Sequence, residues 1–212
     1  MANYFSKYPA IYYSFDDYKT SKYVTNILSR FSLESALKEN TSVFYNYDIR
    51  DGDTPEILAS KLYGSSERHW MVLAMNDIVD PQFDWPLQYE TLITFVDEKY
   101  MANANSNTAG AGLTWSRGNI QSYYRVETTT MPGNIIDVKE YEIDANTYAN
   151  TVISLNNSVT LSDNTVVIFD TTKITKSYYE HEFELNEQKR KIKLIKPEFV
   201  SALETELEQV FL

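Results

Sequence analysis

Between Lys22 and Phe31 the apolar residues Val24, Ile27, Leu28 and Phe31 stand three, four and seven positions along, which is the spacing of one helix face and predicts a short helix. Ahead of it, residues 1–21 are rich in Tyr and Phe without a period. Pro9, Asp16 and Asp17 interrupt any helix there, so residues 1–40 read as an extended aromatic arm followed by a short helix. Residues 43–49, Val-Phe-Tyr-Asn-Tyr-Asp-Ile, are aromatic and β-branched and predict a strand. The next segment, Arg50 to Glu56, combines a turn with a helix start. Gly52 supplies a permissive backbone, Asp53 or Thr54 can accept from free N–H groups, and Pro55 fits the first helical turn. With Asp53 as the cap, Glu56 completes a capping-box-like pair. Ile57, Leu58 and Leu62 form the buried face, and Gly64 ends the helix.

A second helix is predicted from about Glu67 to Met75, closing at Asn76-Asp77, and a third from Tyr89 to Tyr100 through Leu92, Ile93, Phe95 and Val96. Asp80-Pro81 and Trp85-Pro86 separate them. Residues 41–100 therefore form a module plus its following helix. The small, polar residues 101–112 read as a flexible loop or linker. From Leu113 to Lys176 short runs dense in Thr, Val, Ile and Tyr predict strands, among them Tyr123 to Thr128, Ile135 to Tyr141 and Val166 to Phe169. A charged hairpin is predicted over residues 178–196, turning at Glu187-Gln188. It would set Glu184 opposite Lys191 and Glu182 opposite Lys193, with apolar groups mainly on the other face. Pro197 opens a terminal amphipathic helix whose stripe is Phe199, Val200, Leu203, Leu207, Val210 and Phe211. Each large apolar side chain buried contributes about 1.5–3 kcal/mol, so this stripe must dock, on this chain or on a partner. The fold class expected is α+β, with residues 113–212 as a β-rich half carrying the hairpin and the final helix.

Composition narrows the chemistry. The 212 residues hold 19 basic and 30 acidic side chains, a net charge of −11, which argues against a general nucleic-acid surface. There is no cysteine, which removes thiol nucleophiles, disulfides and thiolate metal sites. Only two histidines occur, His69 and His181, so a three-His metal site is excluded. His69 has no serine motif or second acid near it, and His181 reads as an ordinary packed imidazole. Glu180, Glu182 and Glu184 resemble a carboxylate cluster, but lysines opposite them make a charge-paired ladder the simpler account. Asp51 and Asp53 alone offer too few oxygens for calcium, and capping suffices for them. Lys189-Arg190-Lys191 is balanced by glutamates. No glycine-rich phosphate loop, apolar leader or span of roughly 20 apolar residues is present, so no membrane association and synthesis in the cytoplasm are expected. No catalytic residue, cofactor or metal is expected.

Thirty aromatic residues, 17 of them Tyr, are the compositional excess. Tyr4, Phe5, Tyr8, Tyr12, Tyr13, Phe15, Tyr18 and Tyr23 crowd the arm, outside any convincing strand, and point to a partner interface there.

The segment Tyr47-Asp48-Ile49-Arg50-Asp51-Gly52-Asp53-Thr54-Pro55-Glu56-Ile57-Leu58-Ala59, followed by Leu62-Tyr63-Gly64, Trp70 and Met75-Asn76, resembles a LysM-type module. Asn76-Asp77-Ile78-Val79-Asp80-Pro81 with Trp85-Pro86 lies outside that general module. With Tyr4-Phe5, residues 24–30 (Val-Thr-Asn-Ile-Leu-Ser-Arg) and Lys99-Tyr100, the whole resembles the baseplate wedge protein 53 family of T-even-type contractile-tailed phages, over about residues 1–100. The resemblance implies a non-enzymatic virion protein of the tail baseplate. It further implies several copies per particle, contacts with other wedge and hub proteins, and a role in joining wedges around the hub. LysM modules elsewhere bind peptidoglycan or chitin, which sets glycan binding by a tail accessory module as the alternative. Against it, the usual second strand does not follow Asn76, and the module is single. On this reading Asp51, Gly52, Asp53, Thr54 and Pro55 form the module turn and cap, and Trp70 closes the module core. Trp85 anchors the segment that follows, and Tyr4, Phe5, Tyr8, Tyr12, Tyr13, Phe199, Leu203 and Leu207 are interface or anchor candidates.

Overall fold

The computed structural model describes residues 8–210 apart from 15, 17, 18, 28, 30, 31, 133 and 134. The fold is mixed α+β with three small antiparallel sheets among the described residues. The chain divides into two compact units, one of residues 1–88 and 187–212 and one of residues 89–186.

In the first unit β1 (Ala10–Ser14) pairs antiparallel with β2 (Ser21–Thr25). The helix expected over residues 22–31 is therefore a strand as far as Thr25. Ser21, Tyr23 and Thr25 on one parity and Lys22 and Val24 on the other suit a ribbon as well as a helix, and pairing with the Tyr-rich β1 decides it. The short helix of this region comes later, as α1 (Ser35–Glu39).

The core of the unit is a strand–helix–helix–strand arrangement. It runs β3 (Phe44–Asp48), α2 (Pro55–Tyr63) and α3 (His69–Met75), and closes with β8 (Lys191–Ile195), which pairs antiparallel with β3 from Phe44↔Ile195 to Asp48↔Lys191. Thr54 caps α2, its hydroxyl accepting the Ile57 N–H, and Gly64 ends it in the left-handed region at φ 72°. Leu58, Ala59, Trp70, Met71, Val72 and Met75 from the helices meet Phe44, Ile192, Leu194 and Ile195 from the strands. Helix α9 (Val200–Val210) covers this core with Val200, Leu203 and Leu207, and Phe199 packs beside them. The amphipathic stripe thus docks within its own chain. The short helix α4 (Pro81–Asp84) follows α3 in the chain.

The second unit begins with α5 (Tyr89–Tyr100) and α6 (Ala111–Gly118). Residues 101–112, expected to be a flexible linker, turn back onto α5. The Asp97 carboxylate accepts the N–H groups of Gly110 at 2.7 Å and Leu113 at 2.9 Å, and α6 has started by Ala111. Gly112 is required at this crossing. A Cβ there would collide with the carbonyl oxygen of Asp97 and the backbone of Tyr100 and Met101. The strands follow as β4 (Ile120–Met131), β5 (Ile135–Ile143), β6 (Ser154–Thr160) and β7 (Val166–Ser177), in spatial order β5-β4-β7-β6, with α7 (Ala145–Asn150) between β5 and β6.

The charged hairpin over residues 178–196 does not form. Residues 178–190 are the helix α8 (Tyr178–Arg190), and only its expected second strand exists, as β8 paired with β3. The start signal is a reciprocal capping box. The Ser177 N–H donates to Glu180 Oε2 at 2.7 Å while the Glu180 N–H donates to Ser177 Oγ at 3.2 Å.

Candidate functional site

The turn between β3 and α2 is held from three sides. Its centre is Asp53, 8% exposed, whose carboxylate accepts the Tyr47 hydroxyl at 2.7 Å, the Arg50 N–H at 3.2 Å and the Lys61 ammonium at 3.0 Å. Burial works against the charged form, but these three donors outweigh it and hold the carboxyl below the usual aspartate range. Helix capping therefore falls to Thr54, while Asp53 organises the turn. Gly52 takes φ 90°, a region that an L side chain resists.

Two donors from distant sequence engage further acceptors of the turn. The Trp85 indole N–H donates to the Asp53 carbonyl at 3.0 Å. The Arg190 guanidinium donates to the Ile49 carbonyl at 3.1 Å, the Leu87 carbonyl at 3.2 Å, Asp51 Oδ1 at 2.7 Å and Glu187 Oε1 at 2.7 Å. Burial lowers the affinity of that guanidinium for its proton, and the carboxylates of Asp51 and Glu187 more than restore it. Arg190 stood in the sequence as part of a basic run. A planar five-donor fork beside a predicted turn rich in carbonyls and carboxylates was the available signal for its role.

Asn76 locks the end of α3 to the middle of β8. Its amide donates to the Val72 and Lys193 carbonyls, each at 2.8 Å, and its oxygen accepts the Lys193 N–H at 2.7 Å, joining the end of α3 to β8. Tyr63, pushed upward in pKa mainly by burial, donates to the Ile195 carbonyl at 3.0 Å. Arg68 grips Glu204 of α9 with two hydrogen bonds of 2.8 and 3.1 Å. Trp70 is buried in this core, and Trp85 packs against it.

The aromatic arm divides. Tyr4 and Phe5 lie outside the described residues, as do Phe15 and Tyr18. Tyr8 is half-buried. Tyr12 and Tyr13 are on β1 and Tyr23 is on β2, so the arm's aromatics do occupy strands. Tyr12 and Tyr23 face one another with ring centroids 5.1 Å apart and are 77% and 67% exposed. Phe199, Leu203 and Leu207 belong instead to the chain's own core, while the Val210 side chain and Phe211 are outside the described residues.

The three glutamates of residues 180–184 are not brought together for chemistry. Glu180 reaches back to the Ser177 N–H in the capping box of α8, and Glu184 pairs with Lys176 at 3.0 Å. Glu182 is buried, accepting from Lys99 at 2.7 Å and the Tyr100 hydroxyl at 2.8 Å beside the ring cluster of Tyr100, Trp115 and Tyr178. His69 contacts the Ser66 carbonyl through Nδ1 at 3.0 Å. No group of three or more His, Asp or Glu side chains able to hold a metal occurs among the described residues. Among them too, no helix is long and apolar enough to cross a membrane.

Both units carry exposed aromatic and apolar residues on their strands. No curated protein matches the chain. Residues 23–210 match the family described as base plate wedge protein 53. That match extends well beyond residue 100, where the motifs quoted from the sequence stopped, and takes in the four-stranded sheet and β8. A non-enzymatic structural protein of the phage tail baseplate, carried in the virion, accounts for charged groups spent on capping and pairing, and the chain belongs to the base plate wedge protein 53 family.

Proposed function

We propose that this chain docks to other wedge subunits through its aromatic hairpin and helps to join wedges around the central hub, in several copies per particle. The observation that carries the reading is the β1–β2 ribbon. A two-stranded hairpin is marginally stable in water by itself, yet this one presents Ile11, Tyr12, Tyr13 and Tyr23 to solvent. Burial of those rings against a partner supplies the missing stabilisation, and tyrosine is suited to such surfaces because its hydroxyl stays hydrogen-bonded at the rim.

The frame behind it is, on this reading, a LysM-like module whose closing strand is β8, delivered from more than a hundred residues downstream. The strand–helix–helix–strand order of β3, α2, α3 and β8 supports that assignment. The module serves protein docking rather than glycan binding. In favour of this, the 49–54 turn has spent the Ile49 and Asp53 carbonyls and the Asp51 and Asp53 carboxylates on Arg190, Trp85, Tyr47 and Lys61.

The test replaces Tyr12 and Tyr23 together with serine. The variant should fold, since both rings are exposed, and should fail to copurify with wedge proteins. Undiminished copurification overturns the assignment. Retention of the wild-type chain on insoluble peptidoglycan, above a control protein, would restore the glycan reading.

A further inference from the structure

The two edges of the four-stranded sheet are built differently. On β6 the register slips between Ser154 and Asn157, Asn156 takes φ 58°, and its N–H donates to the Asp170 carboxylate. Such a bulge twists an edge away from further pairing. On the opposite side β5 runs nine residues without proline, in unbroken register with β4 from Tyr123↔Ile143 to Met131↔Ile135. Its outer side pairs with no strand among the described residues. Ile136 and Val138 are 61% and 52% exposed, and Glu140 and Glu142 continue the same face. A long, regular edge with exposed apolar side chains is a template for strand addition, and proteins that do not use one usually blunt it.

Charge selects the occupant. One half of the β5 face is apolar and the other acidic. Glu140 shares Lys176, at 3.3 Å, with Glu184, which leaves two carboxylates on one ammonium, so a complementary strand is apolar opposite Ile136 and Val138 and basic opposite Glu140 and above all Glu142. A second copy of this chain fits poorly. Antiparallel self-pairing centred on Lys139 sets that lysine against its own copy and puts Ile136 and Val138 opposite Glu142 and Glu140, and each copy carries a net charge of −11. We propose that β5 is an acceptor edge, completed by a strand of another baseplate protein that is half apolar and half basic. This goes beyond hairpin docking and involves different residues.

The probe is a synthetic nine-residue peptide alternating threonine with two lysines and then two valines, so that antiparallel pairing sets the lysines opposite Glu142 and Glu140 and the valines opposite Val138 and Ile136; its twin carries glutamate for lysine. Both are added to the full chain, and amide hydrogen exchange is read strand by strand. The lysine peptide should slow exchange across β5 by roughly tenfold, and the glutamate twin should have no effect. The double variant Ile136→Lys and Val138→Lys, checked for folding by circular dichroism, should lose the protection. Equal action of the two peptides, or protection confined to β6, overturns the proposal. So does β5 protection that rises with the chain's own concentration and needs no peptide, since that assigns the edge to a second copy. Failure here with the Tyr12 and Tyr23 variant still defective in docking sinks only the edge. The reverse result sinks only the hairpin.

Discussion

The Tyr47 hydroxyl donates to the Asp53 carboxylate across 2.7 Å, linking the penultimate residue of β3 to the residue just before the α2 cap. Because Asp53 is nearly buried and satisfied by a phenol, an ammonium and a backbone N–H, its charged form belongs to the folded state. The carboxyl is depressed when folded, so its contribution is complete above the unfolded value near pH 4 and declines as pH falls through the folded one. Asp53→Asn should cost about 1.5–3 kcal/mol at pH 7 and much less near pH 2. Urea unfolding at both pH values checks this, and a loss independent of pH would contradict it.

Arg190 should be irreplaceable by lysine. Its guanidinium reaches two carbonyls and two carboxylates at once, whereas an ammonium is a single point with three donors and cannot span that fork. Arg190→Lys should lower stability by about 2–3 kcal/mol, with faster amide exchange across residues 49–54. A lysine variant with wild-type exchange there would show that the guanidinium does not hold the turn.

The start of α8 offers a sharper test of why part of the fold was legible and part was not. The β3 strand, α2, α3 and α5 could be read from local pattern, because α2 carries its own cap with proline and glycine ends and the others show aromatic and β-branched content or helical apolar spacing. Residues 178–190 lack an apolar stripe. Alternating Glu and Lys on either side of Glu187-Gln188 imitated a hairpin, while Ser177-Tyr178-Tyr179-Glu180 already spelled a capping box. Ser177→Ala should destabilise the second unit by about 1 kcal/mol, and Glu180→Gln by less. A hairpin would lose nothing from either change. Circular dichroism with thermal unfolding separates the two.

Other features could not be read because their partners are far away in sequence. The Trp85 indole meets Asp53, Asn76 meets Lys193, and β8 meets β3 across more than a hundred residues. Local periodicity contains nothing about such pairings. The candidate docking surface was half legible: the excess of tyrosine before residue 24 marked the arm, but the ribbon it forms depends on the register of β1 with β2.

The segment 101–112 looked like a linker because it is small and polar, and small size has a different cause at Gly112. Helix α6 approaches α5 so closely that the position has no room for a methyl group. Gly112→Ala should therefore cost about 1–3 kcal/mol by forcing the two helices apart. Gly118, at the end of the same helix, has nothing within 4 Å of its would-be Cβ and no positive φ. There alanine should be neutral or stabilise by about 0.4–1 kcal/mol, because it reduces the freedom of the unfolded chain. Denaturant unfolding of both variants decides whether the loop is a tether or a packed element. Equal tolerance at the two positions would mean that α6 is free to move from α5, and the Asp97 bonds to Gly110 and Leu113 would then not be holding it.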